Sequence, residues 1–373
     1  MSEQFNGNRF IANESEGVLF KTTDGKLLEG KNAVDYLSKV TVKENNMNEK
    51  DTSFASKINS GILGLAIGDA LGVPLEFKPR NSYEHISDMI GYGSHNMPEG
   101  TWSDDTSMTL ATAYSIIDNQ GYIDYDDIMN NYLLWIDKAY FTANKLVFDY
   151  GYTTIQAINN YKNGVSSIEC GLQSFDNNGN GSLMRILPFV LCSYNYNFDE
   201  DEDTKLINSA SAMTHAHDIS KLGCKIYSIF IRQLLSGKTK DEALKYIQQY
   251  DYLKFYSKDT LNFYEKLLTK NILTLKIDEI KSNGYVVNTL LASIWCTVNC
   301  TSFEDALECA VNLGGDTDTI GAVTGSINGI LYGQENIPKR WIDKLQAKDF
   351  VLDIADRFGQ AIIDNKNFNK KRK

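Results

Sequence analysis

Residues 312–333 read NLGGDTDTIGAVTGSINGILYG. Asp316 and Asp318, interleaved with Thr317 and Thr319, follow a double glycine, and glycine then recurs at 321, 325, 329 and 333. Each interior glycine costs a helix about 0.5–1 kcal/mol relative to alanine, so a helix over 317–332 is locally weak. Residues four apart share one face, and the stripe predicts a neighbouring helix lying against bare backbone. Gly314 and Gly315 leave room for a close backbone approach at the acidic N-terminus. Low propensity of this kind is tolerated where the end of the helix has a function.

The same design occurs twice more. In GTWSDDTSMTLATAYSII, residues 100–117, Ser103 is an N-cap type and Asp104 and Asp105 fall in the first turn, where acids suit the helix dipole. Capping alone explains that segment in isolation. In GILGLAIGDALGVPLEF, residues 61–77, Gly61, Gly64, Gly68 and Gly72 lie on roughly one face and Asp69 sits in the last turn. Glu76 follows Pro74 in an apolar setting, where an unpaired charge is costly. Helical spacing continues in SKLGCKIYSIFIRQLL and VNTLLASIWCTVN, and the whole chain has only five prolines. These patterns predict one all-α domain over 54–365.

Residues 1–50 differ and form an N-terminal extension. GVLFKTTDGKLLEG reads as a hairpin with a type I′ turn at Asp24-Gly25. KNAVDYLSKV has helical periodicity, with Ala33, Val34, Tyr36, Leu37 and Val40 on one broad face, and residues 43–53 read as a linker. The formal net charge of −11 argues against a nucleic-acid partner, which needs clustered Lys and Arg, and the basic tail KNFNKKRK reads as a solvated terminus. Six cysteines without a CxxC, behind a polar N-terminus, indicate reduced side chains and a cytoplasmic chain. Apolar runs such as IGAVTGSINGILY fall short of the roughly 20 residues a membrane helix needs, so no membrane contact is expected.

Brought together, Glu76, Asp104, Asp105, Asp316 and Asp318, with the hydroxyls of Ser103 and Thr319, make an all-oxygen cluster. Several close carboxylates cannot all stay ionised without a counter-charge. Hard divalent cations, Mg²⁺ or Mn²⁺, supply one and choose oxygen ligands. Zinc fits poorly, since none of the four histidines pairs with a cysteine at zinc spacing. FDNNGNGSLMRILPF, residues 175–189, places Asn177, Asn178, Gly179, Asn180, Gly181 and Ser182 ahead of an apolar helix. Such a turn is either an ordinary loop or a set of backbone donors for a phosphate. In THAHDISKLG, residues 214–223, His215 and His217 read as capping or core side chains.

These segments, in this order, resemble the ADP-ribosylglycohydrolases, the group that includes dinitrogenase reductase-activating glycohydrolase and the mammalian ADP-ribosylhydrolases. The resemblance spans about 58–333. It implies a compact all-α bundle with a binuclear Mg²⁺ or Mn²⁺ centre held by Ser103, Asp104, Asp105, Asp316, Asp318 and Thr319. Ser103 stands where the family usually has Thr. Glu76 matches the family's mobile acid near the metals, as a general acid/base. Asp104 and Asp105 would hold a metal near the attacking water, and Asp316 would bridge both ions. Gly179, Asn180, Gly181 and Ser182 would cradle a diphosphate, with His215 against the ADP-ribose. The implied reaction is hydrolysis at the anomeric carbon of an ADP-ribosylated protein side chain, arginine above all, by a monomer. Ring opening and direct displacement would use the same residues. Some bacterial members are immunity proteins, so residues 1–50 have two readings: a packing appendage or weakly ordered tail, or an element that docks on an ADP-ribosyltransferase toxin.

Overall fold

The computed structural model describes residues 9–13, 17–21, 27–29 and 49–370. It divides into two units, Met1–Thr52 and Ser53–Lys373. In the first unit β1 (Arg9–Asn13), β2 (Gly17–Lys21) and β3 (Leu27–Glu29) form an antiparallel sheet in the order β1-β2-β3, with Phe10 opposite Phe20 and Phe20 opposite Leu28. The two strands of the expected hairpin are thus β2 and β3, and β1 was not foreseen. The Asp24-Gly25 turn, the KNAVDYLSKV helix and residues 43–48 of the linker lie outside the described residues.

From Glu49 onward the described chain is helical, as expected. The order is α1 (Glu49–Gly72), α2 (Asp104–Asp118), α3 (Tyr125–Lys138), α4 (Tyr152–Lys162), α5 (Leu187–Asn195), α6 (Glu200–Ala212), α7 (Asp218–Leu235) and α8 (Lys240–Gln249). Then come α9 (Lys258–Asn262), α10 (Glu265–Thr269), α11 (Val286–Asn299), α12 (Phe303–Val311), α13 (Thr317–Tyr332), α14 (Lys339–Lys344) and α15 (Lys348–Lys370). Short 3₁₀ turns join them. Local sequence sets several starts: Asp199 and Thr239 form capping boxes with Glu202 and Glu242 at α6 and α8. His217 caps α7 through Nδ1, the first of its two expected readings, cap or core.

The two glycine stripes pack on each other. A Cβ on Gly68 would lie 2.0 Å from the Gly321 carbonyl oxygen, one on Gly64 2.3 Å from that of Gly325, and one on Gly329 2.0 Å from that of Ser60. No side chain fits between α1 and α13, so the stripe serves helix packing. Its lower end puts Gly72 against Asp318, where a Cβ would be 2.4 Å from the Asp318 Cα. Glycine is therefore what brings the acids of α1 and α13 to one point. Around this pair α13 packs on α11 and α12, and α2 packs on α3 and α15.

Two expectations are corrected here. α1 begins at Glu49, ahead of the expected start at 54. The stretch Lys50–Leu75 is also long and apolar enough to cross a membrane by length and composition, contrary to the reading that no run reaches that size. In the fold 94% of that apolar window is buried, as for the core helix of a helical bundle.

Candidate active site

Three chain segments carry most of the acids: the end of α1 with the turn after it, the N-terminus of α2, and the N-terminus of α13. One carboxylate oxygen each from Asp69, Asp105 and Asp318 lies within 4.8 Å of the others, and so do oxygens of Glu76, Asp316 and Asp318. Thr319 Oγ1 is 3.4 Å and Ser103 Oγ 3.1 Å from Asp105 Oδ2. Asp104 is buried beside them. Every acid and hydroxyl that the sequence nominated as a metal ligand is thus in one place.

Ser103 occupies the N-cap position of α2, but its hydroxyl does not cap. Asp69 caps in its place, accepting from the Ser103 amide at 2.9 Å and from the Thr106 amide and hydroxyl at 3.0 and 2.6 Å. A carboxylate 34 residues away satisfies the helix end and frees Ser103 Oγ to face the cluster. Asp316 stands at the N-cap of α13, also without a capping bond. Its Oδ2 accepts instead from Asn180 Nδ2 at 3.1 Å.

The sequence reading places Asp69 at the end of α1 without counting it in the cluster, and it misses two further members. Asp149 and His95 form a third close group with Glu76, and His95 Nε2 bonds Glu76 Oε2. Neither has a local signature, being single polar residues in irregular segments. Phe148 and Phe77 flank the His95 ring at 5.3 and 5.8 Å between centroids.

The electrostatics of this site are one-sided. Asp69, Glu76, Asp104, Asp105, Asp149, Asp316 and Asp318 gather with no Lys or Arg at ion-pair distance among the described residues, and the sole pair is His95 with Glu76. Burial pushes Glu76 up to about 10, aided by the charges of Asp149 and Asp316. Burial likewise raises Asp69 to about 7 against the pull of its hydrogen bonds to Thr106 and Ser103. Asp104, Asp105 and Asp318 are raised well above the usual carboxylate range, by burial first and neighbouring carboxylates second, and Asp316 is raised by burial. Asp105 Oδ1 and Asp318 Oδ2 are buried and receive no hydrogen bond among the described residues. Hydroxyls, carboxylates and two orphaned oxygens are a donor set that fits hard divalent cations.

The expected diphosphate cradle is partly different. The helix after it starts at Leu187, so a turn separates the glycines from α5. Gly179 and Gly181 are partly exposed, but the Asn180 amide donates to the Gly284 carbonyl at 3.0 Å and its side chain is committed to Asp316 and Thr289. Ser182 Oγ lies in the core, accepting from Ser211 at 3.0 Å. His215 is buried behind the loop, and a Cβ on Gly181 would come 2.8 Å from its Cε1. Burial, with the Arg185 charge, lowers His215 to about 3, so the ring is neutral at physiological pH.

The model of the family described as ADP-ribosylglycohydrolase matches residues 50–367. The chain is 33% identical over 308 residues to the ADP-ribosylarginine hydrolase Tri1 of Serratia proteamaculans, covering 81% of this chain and 78% of that one. It is 28% identical over 294 residues to the ADP-ribosyl-[dinitrogen reductase] glycohydrolase of Rhodospirillum rubrum, covering 77% and 89%. A solved structure, an ADP-ribosylglycohydrolase-related protein complex, superposes with a TM-score of 0.70 at 28% identity over 83% of this chain and 99% of that one. With the all-α fold and the acid cluster already described, these matches establish that the chain belongs to the ADP-ribosylglycohydrolase family.

Proposed function

We propose that the chain hydrolyses the bond between ADP-ribose and a modified arginine side chain, using two divalent cations, Mg²⁺ or Mn²⁺. The observation that carries this reading is the seven-acid cluster, buried except for the half-buried Asp149 and Asp316, which among the described residues has no Lys or Arg at ion-pair distance and leaves Asp105 Oδ1 and Asp318 Oδ2 without a hydrogen bond. Arginine as the modified residue is supported by the relatives named as ADP-ribosylarginine hydrolases. Ser103, Asp104, Asp105, Asp316, Asp318 and Thr319 would hold the ions. When bound, such ions orient ribose hydroxyls, activate water and stabilise developing charge.

The chain's own residues then divide the work. Glu76, oriented by His95, is the proton-transfer group. In the balanced reaction a water oxygen bonds to the anomeric carbon, the carbon–nitrogen bond breaks, and the water's proton leaves with the guanidine. Asn180 fixes the Asp316 carboxylate, and the partly exposed backbone of Gly179 and Gly181 would cradle the diphosphate. Neutral His215 braces that loop from behind without adding charge. The test is release of ADP-ribose from an arginine-ADP-ribosylated protein with Mg²⁺ or Mn²⁺, beside an Asp316→Ala, Asp318→Ala variant. Metal-dependent release that the variant lacks is expected. Equal release by both would sink the assignment.

A second role rests on a separate observation. The family match begins at residue 50, and the Met1–Thr52 unit carries its own three-stranded sheet. An antiparallel sheet of this kind suits docking on a partner protein, here an ADP-ribosyltransferase. Removing residues 1–48 is expected to spare hydrolysis and abolish that binding. Undiminished binding would refute the second role alone.

A further inference from the structure

The double glycine opens space for something other than a ligand. Gly314 and Gly315 adopt φ of +71° and +80°, and a Cβ on them would lie 2.6 Å from the Arg80 amide nitrogen and 2.1 Å from the Ser282 carbonyl oxygen. Three irregular segments therefore meet at the base of the site: 76–81 with Glu76, 277–284, and 313–316 with Asp316. Arg80 lies where they join.

The Arg80 guanidinium reaches both other segments at once. Its Nε donates to the Leu313 carbonyl at 2.7 Å. One terminal nitrogen donates to the Ile280 carbonyl at 2.6 Å and to Ser282 Oγ at 3.4 Å, and the other to the Ile277 carbonyl. Backbone bonds complete the joint. The Asp316 amide donates to Ser282 at 2.8 Å, the Gly315 amide to Lys78 at 2.9 Å, and the Phe77 amide to Gly315 at 2.6 Å. Among the described residues Arg80 forms no ion pair, despite the carboxylates nearby. Its donors go to carbonyls, and a planar fork with five N–H groups can satisfy several carbonyls in fixed directions where an ammonium cannot.

We infer that Arg80 is a positioning residue, setting the register between the strand of chain that carries Glu76 and the loop that presents Asp316 and Asp318. It touches no reacting atom. The inference rests on the metal-centre reading of the site, because register matters only if the two acid groups act on one centre. Residues that orient ligands from behind change metal affinity or activity by about 10- to 100-fold when removed.

The experiment uses the full chain as wild type, Arg80→Ala, Arg80→Lys, and Arg340→Ala as a surface control whose Arg pairs with the exposed Glu304. Mn²⁺ affinity is measured by calorimetry, kcat and KM by ADP-ribose release, and local opening by amide hydrogen exchange. Arg80→Ala is expected to weaken Mn²⁺ binding about 10- to 100-fold, to lower kcat more than it raises KM, and to speed exchange at 313–318 and 277–284 selectively. Arg80→Lys is expected to recover neither affinity nor protection, and it carries the test if the alanine variant does not fold. Wild-type Mn²⁺ affinity in the Arg80 variants overturns the inference while leaving the metal centre intact. A wild-type chain that binds no Mn²⁺ overturns the metal-centre reading and this inference with it.

Discussion

Two sets of buried carboxylates sit in this fold, and they are neutralised in opposite ways. Asp203, on α6, is buried, and Lys225 Nζ approaches its Oδ2 at 2.5 Å while Arg232 lies 3.4 Å from Oδ1. Ser193 and Ser228 donate to it as well, so both of its oxygens are filled. Asp105 and Asp318 are equally buried, yet among the described residues each keeps an oxygen without a hydrogen bond, and neither has a Lys or Arg at ion-pair distance. Burying a charge unpaired is expensive, and breaking a buried pair is more so than never building it. The first arrangement serves stability. The second gives up stability: its carboxyls either stay protonated, as burial favours, or need a counter-charge, which the proposed cations would supply.

That contrast can be broken or sharpened by experiment. The largest effect belongs to the structural site: Lys225→Met is expected to cost about 3–5 kcal/mol, at the lower end because Arg232 remains, in urea denaturation. Mn²⁺ affinity should not change. Asp318→Asn reverses the pattern, with hydrolysis falling about 10²- to 10³-fold while the metal-free fold is retained. Gly68→Ala tests the helix contact that joins the acids. Its Cβ would sit 2.0 Å from the Gly321 carbonyl, and a loss of about 1–3 kcal/mol with weaker Mn²⁺ binding is expected from the forced separation of α1 and α13.

A smaller effect is the pH dependence of the metal-free chain. Asp69 is raised to about 7 and Glu76 to about 10, so between the ordinary carboxylate range and those values the folded state holds protons that the unfolded state has lost. Stability must then fall as pH rises through that window. Thermal denaturation from pH 5 to 8 is expected to show a falling Tm without metal and a flatter profile with saturating Mn²⁺. A metal-free Tm that climbs with pH would mean the acids are compensated inside the protein.

Much of this was legible in the sequence because its signals are local or periodic. Glycines at 64, 68, 321 and 325 announce a close helix contact through spacing alone, and the paired acids at 104, 105, 316 and 318 announce themselves by their place at helix starts. What stayed hidden depends on partners distant in the chain. Ser103 reads as a cap, and only the fold reveals that Asp69 takes that task. Asp149 and His95 join the site through irregular segments with no repeating pattern. Gly314 and Gly315 signal room for a close backbone approach, but the neighbours they admit, Ser282 and Arg80, cannot be named from spacing. Ser182 reads with its loop, but its hydroxyl faces the core.

The central claim, that the acid cluster is built for cations rather than for stability, is tested most directly by thermal denaturation at pH 7.5. Wild type and Asp105→Asn are compared, each without metal and with saturating Mn²⁺. The account predicts that Asp105→Asn melts about 2 °C higher than wild type without metal, since a carboxyl whose ionisation burial and its neighbours oppose is gone. It also predicts that Mn²⁺ raises the Tm of wild type and leaves the variant nearly unmoved. A variant that melts lower without metal, or that gains as much from Mn²⁺ as wild type does, would contradict the account.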